Sequence, residues 1–275
     1  MDRSYRVLIT SDMHCTDLET WNGVSNEDRL QAWVDQILAE HAKQPFDLIL
    51  IAGDISLDYH DKKTPWDKGY STGKIFMEQY IPQLPAGVPV QIIAGNHEQY
   101  PQEDWKALTG CDRESFARLG STLFIMLDCF NADLGHYFDS QDVYTPMNVA
   151  YIRELMDKYP DCDVWLISHF IWMPLESDEF RKLVAEDARI KGLFSAHTHQ
   201  CSLIPLGEAY GNKVIAQTGN FSFTGGEIAT AFWGLRDLLI TPDGAVSRYI
   251  QAERDVTVAG KTVHIEARIS DIATY

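Results

Sequence analysis

The chain reads as an α/β protein built around a largely parallel sheet, and three observations carry that reading. Short apolar runs recur between residues 5 and 218, several continuously apolar rather than alternating, as strands buried on both faces must be. Amphipathic stretches of helical period separate them, the pattern of successive βαβ units. Five of the runs end in residues of metal-ligand type, at the strand ends where open α/β sheets place their ligands.

Taken in order, the first run is YRVLIT (5–10), which leads into Ser-Asp-Met-His. Ser25 is suited to cap a helix over 26–44, whose stripe is Leu30, Trp33, Val34, Ile37, Leu38 and His41. FDLILIA (46–52) stops at Gly53-Asp54. Gly-Asp is ordinary turn chemistry, yet here a strand built for burial delivers a single carboxylate. A helix over 73–84 leads to PVQIIA (89–94) and then to Gly-Asn-His-Glu. STLFIML (121–127) precedes a helix over 145–158, with Pro146 placed for its first turn. DVWLIS (163–168) ends in His169, a helix covers 178–188, and IKGLFSA (190–196) opens into His-Thr-His. After KVIAQT (213–218) the texture changes to strands and turns. LLITPDGAVSRYIQA turns at Pro242-Asp243-Gly244. VTVAGKTVHIEARI reads as a second hairpin, with Val263, Ile265, Ala267 and Ile269 alternating. No repeat or linker divides residues 1–275, which are read as one domain. Residues from about 212 to 275 are assigned to part of a second sheet and a terminal hairpin.

Composition narrows the function. An apolar content of 45% over 275 residues suffices for a sizeable core. Against 40 acidic residues stand 23 basic ones, a formal charge of −17 with no Lys/Arg cluster, which argues against nucleic acid as a partner. No apolar segment reaches signal-peptide or membrane-span length. The five cysteines, Cys15, Cys111, Cys129, Cys162 and Cys201, form no C-x-x-C pair and read as reduced packing thiols of a cytoplasmic protein.

Asp12 and His14, like His197 and His199, stand two residues apart, a spacing that in extended chain turns both side chains to one side. Each motif alone is a weak signal; five strand ends carrying ligand residues together are not. The ordered set D-x-H, G-D, G-N-H-E, a later lone His and H-x-H resembles the calcineurin-like metallophosphoesterase superfamily over residues 12–199. The resemblance implies a four-layer αββα sandwich, two mixed sheets flanked by helices, with a dinuclear metal site at the C-terminal ends of the strands. Carried over residue by residue, it implies Asp12, His14, Asp54 and His199 on one ion. Asp54, Asn96, His169 and His197 would hold the other, with Asp54 bridging. The superfamily's usual glycine before H-x-H is Ala196 here, which costs little where φ stays negative.

Imidazoles, carboxylates and an amide without a thiolate suit Mn, Fe or Zn, as two divalent ions or a mixed-valence pair. His97 is not a ligand in the resemblance; its expected task is to protonate the leaving oxygen or stabilise the transition state. The expected chemistry is in-line attack on phosphorus by a metal-bridging hydroxide, with no phospho-enzyme. Asp58 and Glu98 are candidates to orient His97, and His60 and His136 to line the mouth, whereas His41 and His264 read as structural. Tyr59, Tyr100, Phe170, Trp172, Phe221 and Phe223 are candidates either to stack on a base or aryl group or to pack.

Protein phosphatases of the superfamily carry an arginine after G-D and another before G-N-H-E, where this chain reads GDISLDY and IIAGNHE. Arginine is the preferred bidentate partner of phosphate, so a small phosphate ester is expected instead of a phosphoprotein, with a nucleotide-type diester favoured. The alternatives are a phosphomonoesterase with the same site, a non-catalytic metal-binding scaffold, and a structural α/β protein without metal. The oligomeric state is left open.

Overall fold

The computed structural model of the chain describes residues 4–21, 23–58, 71–130, 144–222, 232–258 and 261–275. Tyr59, His60, His136 and Phe223 lie outside them. The first strand, β1 (Tyr5–Thr10), is followed by the short pair β2 (Thr20–Trp21) and β3 (Val24–Ser25), helix α1 (Asn26–Lys43) and strand β4 (Leu48–Ala52). Next come α2 (Thr72–Ile75), β5 (Val90–Ile93), α3 (Gln102–Thr109), β6 (Ser115–Leu119) and β7 (Thr122–Leu127). Helix α4 (Val149–Lys158), β8 (Asp163–Ser168), α5 (Asp178–Glu186) and β9 (Ile190–Ser195) continue the alternation. The rest is β: β10 (Leu203–Pro205), β11 (Val214–Gln217), β12 (Gly234–Thr241), β13 (Gly244–Gln251), β14 (Arg254–Val258), β15 (Lys261–Ile265) and β16 (Ile269–Thr274).

Local chemistry sets the helix ends. Ser25 caps α1, its hydroxyl accepting from the Asp28 N–H at 3.0 Å. Helix α4 starts later than Pro146 suggests, because Asn148 takes the cap and accepts from the Tyr151 N–H. The segment read as one helix over 73–84 is α only to Ile75, then a π turn over Phe76–Tyr80 and a 3₁₀ turn over Ile81–Gln83. Pro82 brings no N–H to continue it, and the wide turn keeps both Phe76 and Tyr80 buried.

In place of one largely parallel sheet there are two six-stranded mixed sheets. The first runs β16-β13-β12-β1-β4-β5, with β1, β4 and β5 parallel and the C-terminal strands antiparallel. The second runs β10-β11-β9-β8-β7-β6, parallel through its four central strands. Most of the β-rich C-terminal stretch therefore completes the sheet of β1, and only β11 of it joins the other. Ile269 opens β16 and is no part of the β14–β15 hairpin.

Alternation along the strands builds the layers. Val7, Ile9, Leu48, Leu50, Leu238 and Ile240 point inward, onto Phe124, Met126, Trp165, Ile167 and Phe194 of the facing sheet. Their neighbours Leu8, Ile49, Ile51 and Ile92 point out, under Leu30, Trp33, Val34 and Ile37 of α1 and Trp105 of α3. On the far side Leu123, Ile125, Val164, Leu166 and Leu193 pack under α4 and α5. The result is the αββα sandwich. Both faces of every parallel strand are buried, which is why those strands read as continuous apolar runs. No helix of the described residues is long and apolar enough to cross a membrane.

Candidate metal centre

The parallel strands of both sheets point their C-terminal ends to one edge, and the predicted residues leave from those ends. β1 delivers Asp12 and His14, β4 Asp54, β5 Asn96 and His97, β8 His169, and β9 His197 and His199. The loop after β1 remains paired to the one after β4: the Asp12 N–H donates to Gly53 O, His14 N–H to Asp54 O and Cys15 N–H to Ile55 O. The Ala196 N–H likewise donates to His169 O at 2.8 Å.

The extended i, i+2 geometry expected for Asp12/His14 and His197/His199 is not what brings these side chains together. Asp12, His14, Asp54, His197 and His199 all have left-handed backbone, with φ of 56°, 47°, 52°, 67° and 59°. Each such residue costs on the order of 1–2 kcal/mol, and strain of this kind collects at functional sites. A left-handed residue turns the chain sharply, so the strand ends curl over the edge and present imidazole and carboxylate inward. Ala196 stays out of the positive-φ region, so its replacement of glycine is tolerated; the turn falls on His197 instead.

The convergence is close. Asp54 Oδ2 lies 3.1 Å from His14 Nε2 and 3.2 Å from His169 Nε2, and Asp12 Oδ1 lies 3.2 Å from His199 Nε2. Asn96 Oδ1 is 3.0 Å from His169 Nε2 and 2.7 Å from His197 Nδ1. Among the described residues, three groups have atoms of ligand type within 4.8 Å of one another: Asp12/His14/His199, His14/Asp54/His97 and Asp54/His169/His197. His97 therefore stands at ligand range too, although its Nε2 is farther from Asp54 Oδ2, at 3.8 Å.

Donor chemistry fits a pair of cations. Asp12 and Asp54 are buried carboxylates, 0% and 1% exposed, and a buried charge needs a counter-charge. Among the described residues their side-chain partners are imidazoles and the Ser11 hydroxyl, with no lysine or arginine. Burial pulls His197 down to about 4, helped by His169 nearby, which leaves it the neutral imidazole that a metal requires. Burial also lowers His14. At His169 burial acts the same way, but the facing Asp54 carboxylate outweighs it and raises the imidazole to about 9. That proton occupies the place a cation would take beside Asp54. His169 Nδ1 sits 2.7 Å from Ala52 O, which makes it the donor nitrogen and turns Nε2 inward.

Around this centre lies a frame that the sequence only partly disclosed. Glu98, fully buried, does not orient His97. It accepts from the N–H groups of Asp54, Gly95 and Ser56 and from the Ser56 hydroxyl. Asp58 likewise anchors backbone, taking the N–H groups of Thr72 and Gly73 and the hydroxyls of Ser71, Thr72 and Tyr100. Gly53 is glycine because β4 and β5 crowd there: a Cβ would meet His169 Nδ1 at 2.6 Å and Gly95 Cα at 2.8 Å. Arg29, buried at the foot of α1, donates to Met13 O, His14 O and Phe221 O. Its signal was available, a cation one turn before Trp33 on the buried stripe. Arg113 and Phe130 carried no signal. Arg113 bonds Asp128 and the carbonyls of Glu98, Tyr100 and Phe130, and the Phe130 ring lies 5.7 and 5.8 Å from the rings of His169 and His197.

The remaining candidates separate. His41 accepts the Phe46 N–H and His264 pairs with Asp255, both away from the centre. Tyr100 and Phe221 are buried in the core under α1. Cys15 is buried there as well, and burial pushes its thiol up to about 12, far from reactivity. Phe170 and Trp172 adjoin the His197 side.

No curated protein matches the chain in sequence. Among solved structures it is similar to Vps29 of Chaetomium thermophilum, at 12% identity, TM-score 0.46 and 98% coverage of both chains. Zinc-complexed Vps29 from Entamoeba histolytica is similar at 12% identity and TM-score 0.43, covering 97% of this chain and 98% of that one. A protein of Streptococcus pneumoniae described as a predicted phosphoesterase follows at 12% identity and TM-score 0.37, covering 96% and 98%. The family model described as calcineurin-like phosphoesterase matches residues 5–201, a span that holds all five ligand-bearing strand ends. By that match the chain belongs to the calcineurin-like phosphoesterase family, whose members bind a dinuclear metal site.

Proposed function

We propose that the protein hydrolyses a small phosphate ester, a nucleotide-type diester in preference to a monoester, with two transition-metal ions of the Mn, Fe or Zn kind. One observation carries the reading: the Asp54 carboxylate faces two separate groups of imidazoles from opposite sheets, and among the described residues no lysine or arginine pairs with it. Asp12, His14, Asp54 and His199 would hold one ion, and Asp54, Asn96, His169 and His197 the other. Such a pair supplies Lewis-acid polarisation of the phosphoryl group and acidifies water.

The chain's own residues do the rest. Ala52 O fixes the tautomer of His169, and the hydrogen bond from Ser11 Oγ to Asp12 Oδ2, at 2.6 Å, orients the Asp12 carboxylate. Phe130 packs against the imidazoles of His169 and His197, and Phe170 against that of His197. His97 is held by its N–H on Asp54 Oδ1 at 3.0 Å, with its side chain still 12% exposed. It can therefore hold a proton at the open side of the centre and give it to the leaving oxygen. A cytoplasmic setting belongs to this reading, supported by five buried cysteines of which none is in a disulfide.

The test is a panel of bis-p-nitrophenyl phosphate, p-nitrophenyl phosphate and cyclic nucleotides, assayed with Mn and after chelation. Diester turnover that chelation abolishes is expected. Turnover of the monoester alone would reverse the diester preference, and metal binding without turnover of any ester would leave a scaffold.

A further inference from the structure

We propose that Phe170 and Trp172 form a stacking subsite for a planar aromatic group of the substrate, a nucleobase, beside the His169/His197 half of the centre. The proposal rests on the phosphoesterase reading above and names the part of the substrate that the ligand residues leave undetermined.

Continuity with the centre is the first observation. The Phe170 ring lies 4.6 Å from the His197 ring, and the Trp172 indole stands edge-on to Phe170 at 5.6 Å. Two ring contacts thus lead from an imidazole of the centre to the surface. Exposure is the second. Trp33, Trp105, Trp165 and Trp233 are all buried, whereas Trp172 is 51% exposed and Leu175 beside it 53%. A half-exposed indole next to a polar centre offers ring surface to solvent.

The third observation is that this exposed ring stands on an anchored loop. Glu176, buried, accepts from the Tyr144 hydroxyl and from the Met147 N–H at 3.0 Å. Arg181 donates to Met173 O and Glu176 O, and the 3₁₀ turn Met173–Leu175 carries Pro174. A ring carried on an anchored backbone loses less freedom when a base stacks on it. Finally, Arg29 and Arg113 near the centre spend their terminal nitrogens on backbone carbonyls, Asn26 and Asp128. These two guanidiniums are committed to the fold, and the surface that the described residues offer beside His197 is aromatic. An aromatic ring stacked on a base contributes about 5- to 100-fold in affinity on removal to alanine.

Calorimetric titration of the Mn-loaded full chain with AMP and with ribose 5-phosphate tests this. The two probes share the phosphate and ribose and differ by the base. Wild type is expected to bind AMP about 5- to 100-fold more tightly. Trp172→Ala should erase that difference and leave ribose 5-phosphate unchanged, while Trp172→Phe should keep most of it. Equal binding of the two probes by wild type overturns the subsite and leaves the phosphoesterase reading intact. So does a Trp172→Ala variant that weakens both probes alike, which marks a structural role. If neither probe binds and no ester of the panel is turned over, the hydrolase reading itself fails and the subsite with it.

Discussion

Replacing Glu98 by glutamine changes one oxygen to an amino group without changing shape, and the geometry sets the cost. Oε2 accepts from the Asp54 and Gly95 N–H groups, at 2.8 Å each; Oε1 accepts from the Ser56 N–H at 2.8 Å and the Ser56 hydroxyl at 3.1 Å. Whichever way the amide turns, its NH₂ meets a pair of donors. The Ser56 side is the less costly choice, because the hydroxyl can rotate to accept. Burial, and then the nearby Asp54 carboxylate, raise Glu98 to about 8, so the cost applies above that pH, where the carboxylate is ionised. One buried backbone N–H is then stranded, at about 1–3 kcal/mol, and the other two bonds weaken from charged to neutral, about 1 kcal/mol apiece. The sum is roughly 3–5 kcal/mol, or a fall in melting temperature of about 6–20 °C at roughly 2–4 °C per kcal/mol for a chain near this size. Because one stressed donor is the N–H of Asp54, metal affinity should also fall by about 10- to 100-fold, as it does when a group supporting a ligand is lost. Calorimetry of the chelated protein reads the first effect and Mn titration the second. A Glu98→Gln variant that melts within about 2 °C of wild type and binds Mn equally would refute the idea that Glu98 sets the backbone under the bridging carboxylate.

Three further substitutions separate the roles assigned above. His97→Ala should retain both ions and lose about 10²–10⁴ in turnover; metal analysis that finds one ion missing makes His97 a ligand. Asp54→Asn should weaken both ions together, and full occupancy of either in the variant would contradict bridging. Gly95→Ala should cost about 1–3 kcal/mol, because its Cβ would stand 2.2 Å from Asp54 Oδ1 and 2.6 Å from Asp54 N, and the Asp54 backbone cannot move aside. Wild-type melting of that variant would show that the β4 and β5 ends have more room than their packing implies.

What the sequence could disclose followed from the range of the interaction involved. Burial on both faces writes itself into every residue of a strand, so YRVLIT and DVWLIS were legible to their last residue. The candidate ligand residues stand at strand ends, and the topology gathers those ends at one edge. The division into two sheets was not legible from periodicity, because a strand covered by a sheet and one covered by helices are equally apolar; only the motif order suggested it. The left-handed backbone at Asp12, His14 and His199 left no glycine to mark it. The partners of Glu98 and Arg113 are fixed by chain segments that meet only after folding, so pattern could place Glu98 near the site but not say what it holds.

The polar frame has a logic of its own. Where strands end and their loops turn over the sheet edge, backbone groups lose their ladder partners while staying buried, and each needs another. Glu98 serves the N–H groups. The carbonyls are served by three buried arginines: Arg29 for Met13, His14 and Phe221, Arg113 for Glu98, Tyr100 and Phe130, and Arg236 for Gln217, Cys201 and Asp271. A guanidinium, with five donors in a rigid plane, is the side chain best able to hold several carbonyls at once. The same commitment removes these arginines from the substrate. On the proposed reading, with these three arginines among the described residues holding backbone, phosphate would fall to the metal ions and discrimination to other surfaces. The half-exposed Trp172 indole, joined through Phe170 to the His197 ring, is the surface proposed above for that role.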